Sequence, residues 1–316
     1  MKKTIRMLCF LLCVLCLSAC SPGTLPTGTG NGVFIQHRSF DKARAEFSMV
    51  FHVSDSQFEN STGMTVSSIF RGAFEVVPKE NGYTVTLPEL QISIVAGDAS
   101  LEFHSGNTYT GEAAVRALPF KALAEGTFTA IPTEQGSLET LGGFQDVLDR
   151  IRTETAPYGK NVTDQAVSAL NEFLNENTLC YLLEKLLFSI PEGTMKTGAT
   201  KERDFSGLAP YSYSMKDTIT YTGRSGKADV FAIDGVVSSL SSAEADSLLA
   251  LGLPYYEMSG TTAGTCTIFT EGELLRSGSS SGNAAGICYF PDRNPENGVQ
   301  VAISRQMTYS VKVLEQ

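Results

Sequence analysis

The chain has 316 residues, of which 42% are hydrophobic and only 18% charged, and its formal net charge is −10. This excludes a disordered chain, which needs low hydrophobicity and high charge, and the charge is too sparse for a coiled coil. An acidic surface repels phosphate backbones, so nucleic acid is not an expected partner.

Met1 to Arg6 is basic, and Met7 through Leu17 is an uncharged apolar run. A run of about 11 residues is too short to span a bilayer as a helix but fits the core of a signal peptide. It ends in Leu17-Ser18-Ala19-Cys20, a lipobox. Small residues before the cysteine suit a narrow peptidase groove, and the Cys20 thiol is the expected lipid attachment site. Several acyl chains on one residue anchor stably where one is marginal. Loss of Lys2, Lys3 and Arg6 with the signal takes the net charge from −10 to −13. Ser21 to Gly32 is almost all Ser, Thr, Pro, Gly and Asn, the composition of a flexible tether. The expected organisation is therefore a signal peptide over 1–19 and a lipidated cysteine with tether over 20–33. The folded part then lies outside the cytoplasm, anchored to the bacterial cell membrane.

Beyond the tether, Phe47, Met49, Phe51 and Val53 alternate with polar residues, as in a half-buried strand. Val66, Phe70, Phe74 and Val76 continue the period. Tyr83, Val85 and Leu87 alternate, then the phase flips at Pro88 to Leu90, Ile92 and Ile94. A flip at proline predicts a bulge, bend or break. Residues 34–142 thus read as an N-terminal β half.

The period changes in residues 143–191. Phe144, Val147, Leu148 and Ile151 follow helical spacing, as do Val167, Leu170, Phe173 and Leu174, and then the leucines from Leu179 to Leu187. Pro157 and Pro191 bound these segments. Two or three amphipathic helices laid against a sheet are expected.

Residues 192–316 read as a C-terminal β half. Ser241 to Leu251 suggests a short helix with a Ser241–Glu244 capping box. In the last strand Val299, Val301, Ile303, Met307, Tyr309, Val311 and Val313 share one phase, with Arg305 as the polar interruption. About fifteen residues at about 3.3 Å each give roughly 50 Å, and strands this long twist and curl. The fold class is β-rich α+β: long curved antiparallel strands, half-barrel-like, with a mid-chain helical block. Gly126-Thr127-Phe128-Thr129 and Gly264-Thr265-Cys266-Thr267 each precede a turn and a second strand. This weak repeat leaves two duplicated halves open beside coincidence.

With its lipobox, these two Gly-Thr hairpins and the helices between them, the chain resembles a loose group of uncharacterised bacterial lipoproteins with a domain of unknown function. That resemblance would cover most of residues 45–316. It implies the architecture and brings no activity with it.

The chemistry is sparse. His37, His52 and His104 are the three histidines, and none has metal-ligand spacing. No cofactor or metal is expected. Gly278-Ser279-Ser280-Ser281-Gly282 matches a nucleophile elbow formally, but no histidine follows it, and it reads as a Gly/Ser hairpin loop. Ser39 with Lys42, Ser105 with Asn107, and Lys196-Thr197-Gly198 resemble the motifs of penicillin-recognising serine enzymes. There the serine opens a buried helix, whereas here it runs into a strand. Cys180 lies near a helix start and suits a buried position. Cys266 and Cys288 are expected on nearby strands, where they can form a disulfide.

The expected function is non-enzymatic binding of a lipid, another apolar ligand or an envelope partner. A structural or interaction lipoprotein without a small ligand is the alternative, and a serine hydrolase the remote one. A filled interior would favour the alternative, and a connected apolar cavity the first.

Overall fold

The computed structural model describes residues 33–35, 40–56, 65–133, 137–188, 193–209, 212–250, 255–269, 274–289 and 299–315. Cys20, His37 and Ser39 lie outside these.

In chain order the elements begin with β1 (Val33–Ile35), β2 (Lys42–Ser56), β3 (Thr65–Lys79), β4 (Gly82–Ala96) and β5 (Ala99–His104). Helix α1 (Gly111–Ala124) and strands β6 (Thr127–Pro132) and β7 (Leu138–Gly142) follow. The helical block is α2 (Phe144–Thr155), α3 (Lys160–Leu174) and α4 (Glu176–Leu183), continued by a π-helical turn, Glu184–Phe188. Then come β8 (Gly193–Met195), β9 (Thr200–Leu208), β10 (Tyr213–Ser225) and β11 (Ala228–Ser238). Helix α5 (Ser242–Ala250), β12 (Tyr255–Phe269), β13 (Leu274–Tyr289) and β14 (Val299–Glu315) complete the chain.

Twelve strands form one antiparallel sheet in the order β7-β6-β4-β3-β2-β14-β13-β12-β11-β10-β9, with β5 also pairing β4. The two β halves meet where β2 pairs β14, so they share one continuous sheet. The two Gly-Thr hairpins occupy unlike places in it: β6–β7 ends at the sheet edge, while β12–β13 lies inside.

Alternation decides which face is inward. In β2, Ala43, Ala45, Phe47, Met49, Phe51 and Val53 are all buried, and in β14 so are Val301, Ile303, Met307, Tyr309 and Val311. Helices α1 to α4 lie on that concave face and share one core with it; Phe173 of α3, for example, lies 6.2 Å from Phe70 of β3, centroid to centroid. The expected helical block is present. The N-terminal half, however, also holds helix α1, which the alternating pattern did not reveal. Pro119 sits inside it, and its buried face is Ala117, Pro119, Phe120, Ala122, Leu123 and Ala124. A proline inside a run of this kind argues against a helix, and packing overrides it.

The sheet does not close on itself. Helix α4 and its π-turn reach both edge strands instead. Glu184 Oε1 accepts from the Leu138 N–H of β7 at 2.7 Å. At the other edge Thr178 Oγ1 accepts from Ala209 N–H at 2.8 Å, and Asn175 Nδ2 donates to the Gly207 carbonyl at 2.7 Å. Edge strands expose unpaired backbone groups that invite other chains, and covering an edge removes that hazard.

Two local devices match the sequence reading. The phase flip at Pro88 is a β-bulge: β4 shifts register against β3 between the Ala73 and Glu75 pairings. It marks where β4 changes its second neighbour from β6 to β5. At α5, Ser241 Oγ and N–H both meet Glu244 Oε2, and Glu244 N–H reaches back to Ser241 Oγ, a capping box.

Candidate functional site

Register gathers distant residues into one polar row across the concave face. Ser68 of β3 faces Phe51, which faces Arg305 of β14. Arg305 faces Gly282, Gly282 faces Thr262, and Thr262 faces Gly235. Gly235 faces Asp217 of β10, and Asp217 faces Arg203 of β9. Ser68, Arg305, Thr262, Asp217 and Arg203 are all buried. A polar group in such a place needs partners, since burial without them is costly.

Helix α4 and its π-turn supply two of these. Lys185 of the π-turn places Nζ 2.5 Å from Asp217 Oδ2. Arg276 Nη1, six residues along β13 from Gly282, donates to the Lys185 carbonyl at 3.4 Å. Arg305 Nη1 donates to the Tyr213 hydroxyl at 3.2 Å, and Nη2 donates to the Tyr181 hydroxyl of α4. Tyr221 donates to Asp229 at 3.1 Å, and the more exposed Arg224 also holds that carboxylate. The buried basic groups are Lys185, Arg203, Arg276 and Arg305, and the buried acidic groups are Glu184, Asp217 and Asp229. Among the described residues basic charge is therefore in excess inside.

Burial shapes the protonation of this interior. It pushes the Glu184 carboxyl upward, against the Leu138 N–H that it accepts from. Burial and then the neighbouring Arg203 pull Lys201 down to about 8. Tyr213 and Tyr309 are both raised by burial.

Beside the row lies a cavity of about 20 Å³, walled by Tyr213, Thr262, Gly282, Ala284, Ile303 and Arg305, with Val237 and Met258. It exists because the inward positions of β13 are small: Gly278, Ser280, Gly282, Ala284 and Gly286. A groove of about 520 Å³ is lined by His52, Ser54, Asn283, Ala302 and Ser304 in outward phase together with Val53, Ala284 and Ile303 in inward phase.

The sequence candidates fall elsewhere. The segment from Gly278 to Gly282 is the middle of strand β13 and not a hairpin loop. Its glycines make room for a neighbour: a Cβ on Gly278 would meet the Tyr309 ring 2.5 Å away, at Cζ. The expected disulfide between Cys266 and Cys288 does not fit the register. Cys266 lies opposite Gly278, and Cys288 lies opposite Tyr256. About ten residues of strand, roughly 33 Å, separate them along β12. A disulfide spans at most about 7 Å between Cα atoms. Cys266 is a buried free thiol, raised by burial, and Cys180 is a half-buried one pushed up to about 12. Neither is an activated nucleophile.

Ser39 lies outside the described residues, and the other residues of the serine-enzyme motifs make local contacts within the sheet. Lys42 opens strand β2 and pairs with Glu75 at 2.9 Å. Ser105 Oγ donates to the Pro88 carbonyl at 3.1 Å and accepts from Leu90 N–H at 3.2 Å, which stitches the bulge. Lys196 to Gly198 lead into β9, in the other half of the sheet. His104 Nδ1 accepts from Gly106 N–H at 3.1 Å, and its Nε2 meets the Gln91 side chain at 2.9 Å. Among the described residues no cluster of His, Cys, Asp and Glu is arranged for a metal.

A family model described as a family of unknown function, DUF6263, matches residues 82–271, most of both β halves and all of the helical block. The chain belongs to this family. No curated protein matches it in sequence. Among solved structures, lipovitellin, in a structure titled for its lipid–protein interactions, is 11% identical with a TM-score of 0.42. That match covers 88% of this chain and 26% of lipovitellin, so the chain spans about a quarter of that protein. The outer membrane protein OprG from Pseudomonas aeruginosa is 8% identical, with a TM-score of 0.23, covering 87% of this chain and 97% of OprG. An outer membrane channel from Pseudomonas putida F1 is 8% identical, with a TM-score of 0.24, covering 92% and 99%. None is close enough to lend its function. The faces also differ from those of a membrane-spanning barrel, whose outward residues are apolar. Here Ser277, Ser279, Ser281 and Asn283 of β13, and Gln300, Ser304, Gln306 and Thr308 of β14, point outward.

Proposed function

We propose that this is a non-enzymatic, lipid-anchored extracytoplasmic protein, held to the cell membrane through Cys20, whose folded part binds an envelope partner at its surface. The observation that carries the choice between an internal ligand and a surface partner is the filled concave face. Four helices and their side chains occupy it. The cavity of about 20 Å³ accommodates a water-sized guest, whereas pockets for small organic ligands measure about 300–1,000 Å³. A lipid carried inside the described part would need helices α1 to α4 to leave the sheet, breaking one continuous core.

The anchor is supported by the lipobox alone and the surface role by the packing, so each has its own test. Metabolic labelling with palmitate should mark the wild-type chain, and Cys20→Ser should abolish the label. Native mass spectrometry of the unlipidated Cys20→Ser protein should give the mass of the polypeptide alone. A lipid retained there in equal stoichiometry would overturn the surface reading and restore an internal carrier.

A further inference from the structure

Six arginines among the described residues reach solvent. Arg44, Arg116, Arg150, Arg152 and Arg224 each hold a carboxylate. Arg71 of β3 holds none, and its diagonal neighbour Glu89 is taken by Arg44 at 2.6 Å. Glu102 of β5 likewise has no cation within ion-pair distance among the described residues. Both side chains are in outward phase and border one groove of about 310 Å³. That lies at the lower end of the range for small organic ligands, about 300–1,000 Å³.

Register builds the floor of this groove. Arg71 faces Gln91 of β4, which faces His104 of β5; in the next row Ile69 faces Ser93, which faces Glu102. The chain after β5 folds back as a wall. Tyr109 Oη accepts from His104 N–H at 2.6 Å, and its ring stacks on that of Phe103, 5.7 Å away. The same turn fixes the histidine. His104 Nδ1 accepts from Gly106 N–H at 3.1 Å, so the ring carries its proton on Nε2. Nε2 lies 2.9 Å from the Gln91 amide, which must present its oxygen there. The Gln91 NH2 is then turned away from His104 and left to the groove beside Arg71.

The groove therefore has two unlike ends. Arg71 and the Gln91 amide offer donors that match a carboxylate, and Glu102 offers acceptors that match an ammonium group. A purely anionic ligand would meet Glu102 and a chain of net charge −10, and a purely cationic one would meet Arg71. A molecule carrying both charges meets a counter-charge at each end. Arg71 and Glu102 stand two strands and one row apart, about 12 Å between Cα atoms at about 4.8 Å per strand and about 6.7 Å per row. The two side chains shorten that gap to one which about two or three extended residues bridge, at up to about 3.5 Å each.

We propose that this groove binds a short peptide by its free ends, the carboxylate on Arg71 and Gln91 and the ammonium group on Glu102. The proposal rests on the surface-partner reading and names what that partner presents.

The test is calorimetric titration of the unlipidated Cys20→Ser full chain with trialanine. Acetylating the amine of the peptide, or amidating its carboxylate, should each weaken binding by about tenfold. Arg71→Gln should weaken trialanine by a similar factor and then be insensitive to amidation. Glu102→Gln should be insensitive to acetylation. Arg116→Gln, on α1, should bind as wild type. All three side chains are exposed, and equal melting temperatures check that the variants fold. No binding of trialanine at millimolar concentration would overturn the proposal, as would equal affinity for the peptide blocked at either end. Undiminished binding by Arg71→Gln or Glu102→Gln would also overturn it. If a variant fails to fold, the free and blocked peptides on the wild-type groove still decide. None of these results alters the mass of the unlipidated protein, which tests the surface reading separately.

Discussion

Lys185 Nζ lies 2.5 Å from Asp217 Oδ2, and both side chains are almost wholly withdrawn from water. The pair ties the π-turn after α4 to the middle of β10, and so the helical layer to the sheet. Its worth lies in what happens when it is broken. Lys185→Met or Asp217→Leu leaves one buried charged group uncompensated and should cost about 3–5 kcal/mol. Lys185→Met combined with Asp217→Leu removes both charges and should recover most of that loss. Urea unfolding of the four proteins measures the cycle. A single variant within about 1 kcal/mol of wild type would show that the pair does not hold the layers together.

Ser105 gives a second expectation. Its hydroxyl serves two backbone groups at the β4 bulge, so Ser105→Ala should destabilise by about 1–2 kcal/mol. With Lys42 engaged by Glu75 at the start of a strand, the serine-enzyme motifs lack the helix that such chemistry needs. Intact mass spectrometry after incubation with a penicillin should show no acyl adduct, and an adduct would reopen the hydrolase.

Much of the fold was legible because burial on one face imposes a period of two. The alternation of β2 and β14 located their inward faces, and the flip at Pro88 located the bulge. The same logic failed at β13. Its inward residues from Gly278 to Gly286 carry almost no apolar side chain, so a hydrophobic pattern is silent there. The apolar surface is lent by a neighbour, since the ring of Tyr309 covers Gly278. Helix α1 escaped because Pro119 interrupts it. The polar row escaped because residues 68, 203, 217, 262 and 305 meet only through register across many strands. One signal was visible: Arg305 is the single polar break in the inward phase of β14, and it stands beside the cavity.

The Tyr309–Gly278 contact is itself testable. Gly278→Ala places a methyl group against the Tyr309 ring and the Thr265 carbonyl. Overpacking of this kind should cost about 1–3 kcal/mol, seen as a lower urea midpoint. Ser279→Ala, one residue away in outward phase and exposed, should stay within about 0.5 kcal/mol. Equal effects at both positions would show that the ring does not rest on the glycine.

Lys201 provides the pH dependence. Burial, and then Arg203, hold its folded value at about 8, against 10.5 for an ordinary lysine. Between those values the unfolded chain binds the proton and the folded chain has released it. Unfolding therefore takes up protons, and the contribution of Lys201 to stability rises with pH across that window. Below about 8 both states are protonated and the cost of burying the charge is fully present. Cys180 works the other way, because burial raises its folded value to about 12 from 9.0, so its contribution falls as pH climbs through that range. The lysine is isolated by difference: Lys201→Met should be more stable than wild type at pH 7, with the gap closing as pH approaches 10.5. Denaturant titrations at pH 7, 9 and 10 measure that gap. A gap that stays constant, or widens with pH, would show that Lys201 keeps an ordinary proton affinity in the folded chain. A direct readout accompanies it. An amine-reactive reagent at pH 8 should label Lys201 ahead of the exposed Lys121 and Lys216, because about half of its amine is then neutral.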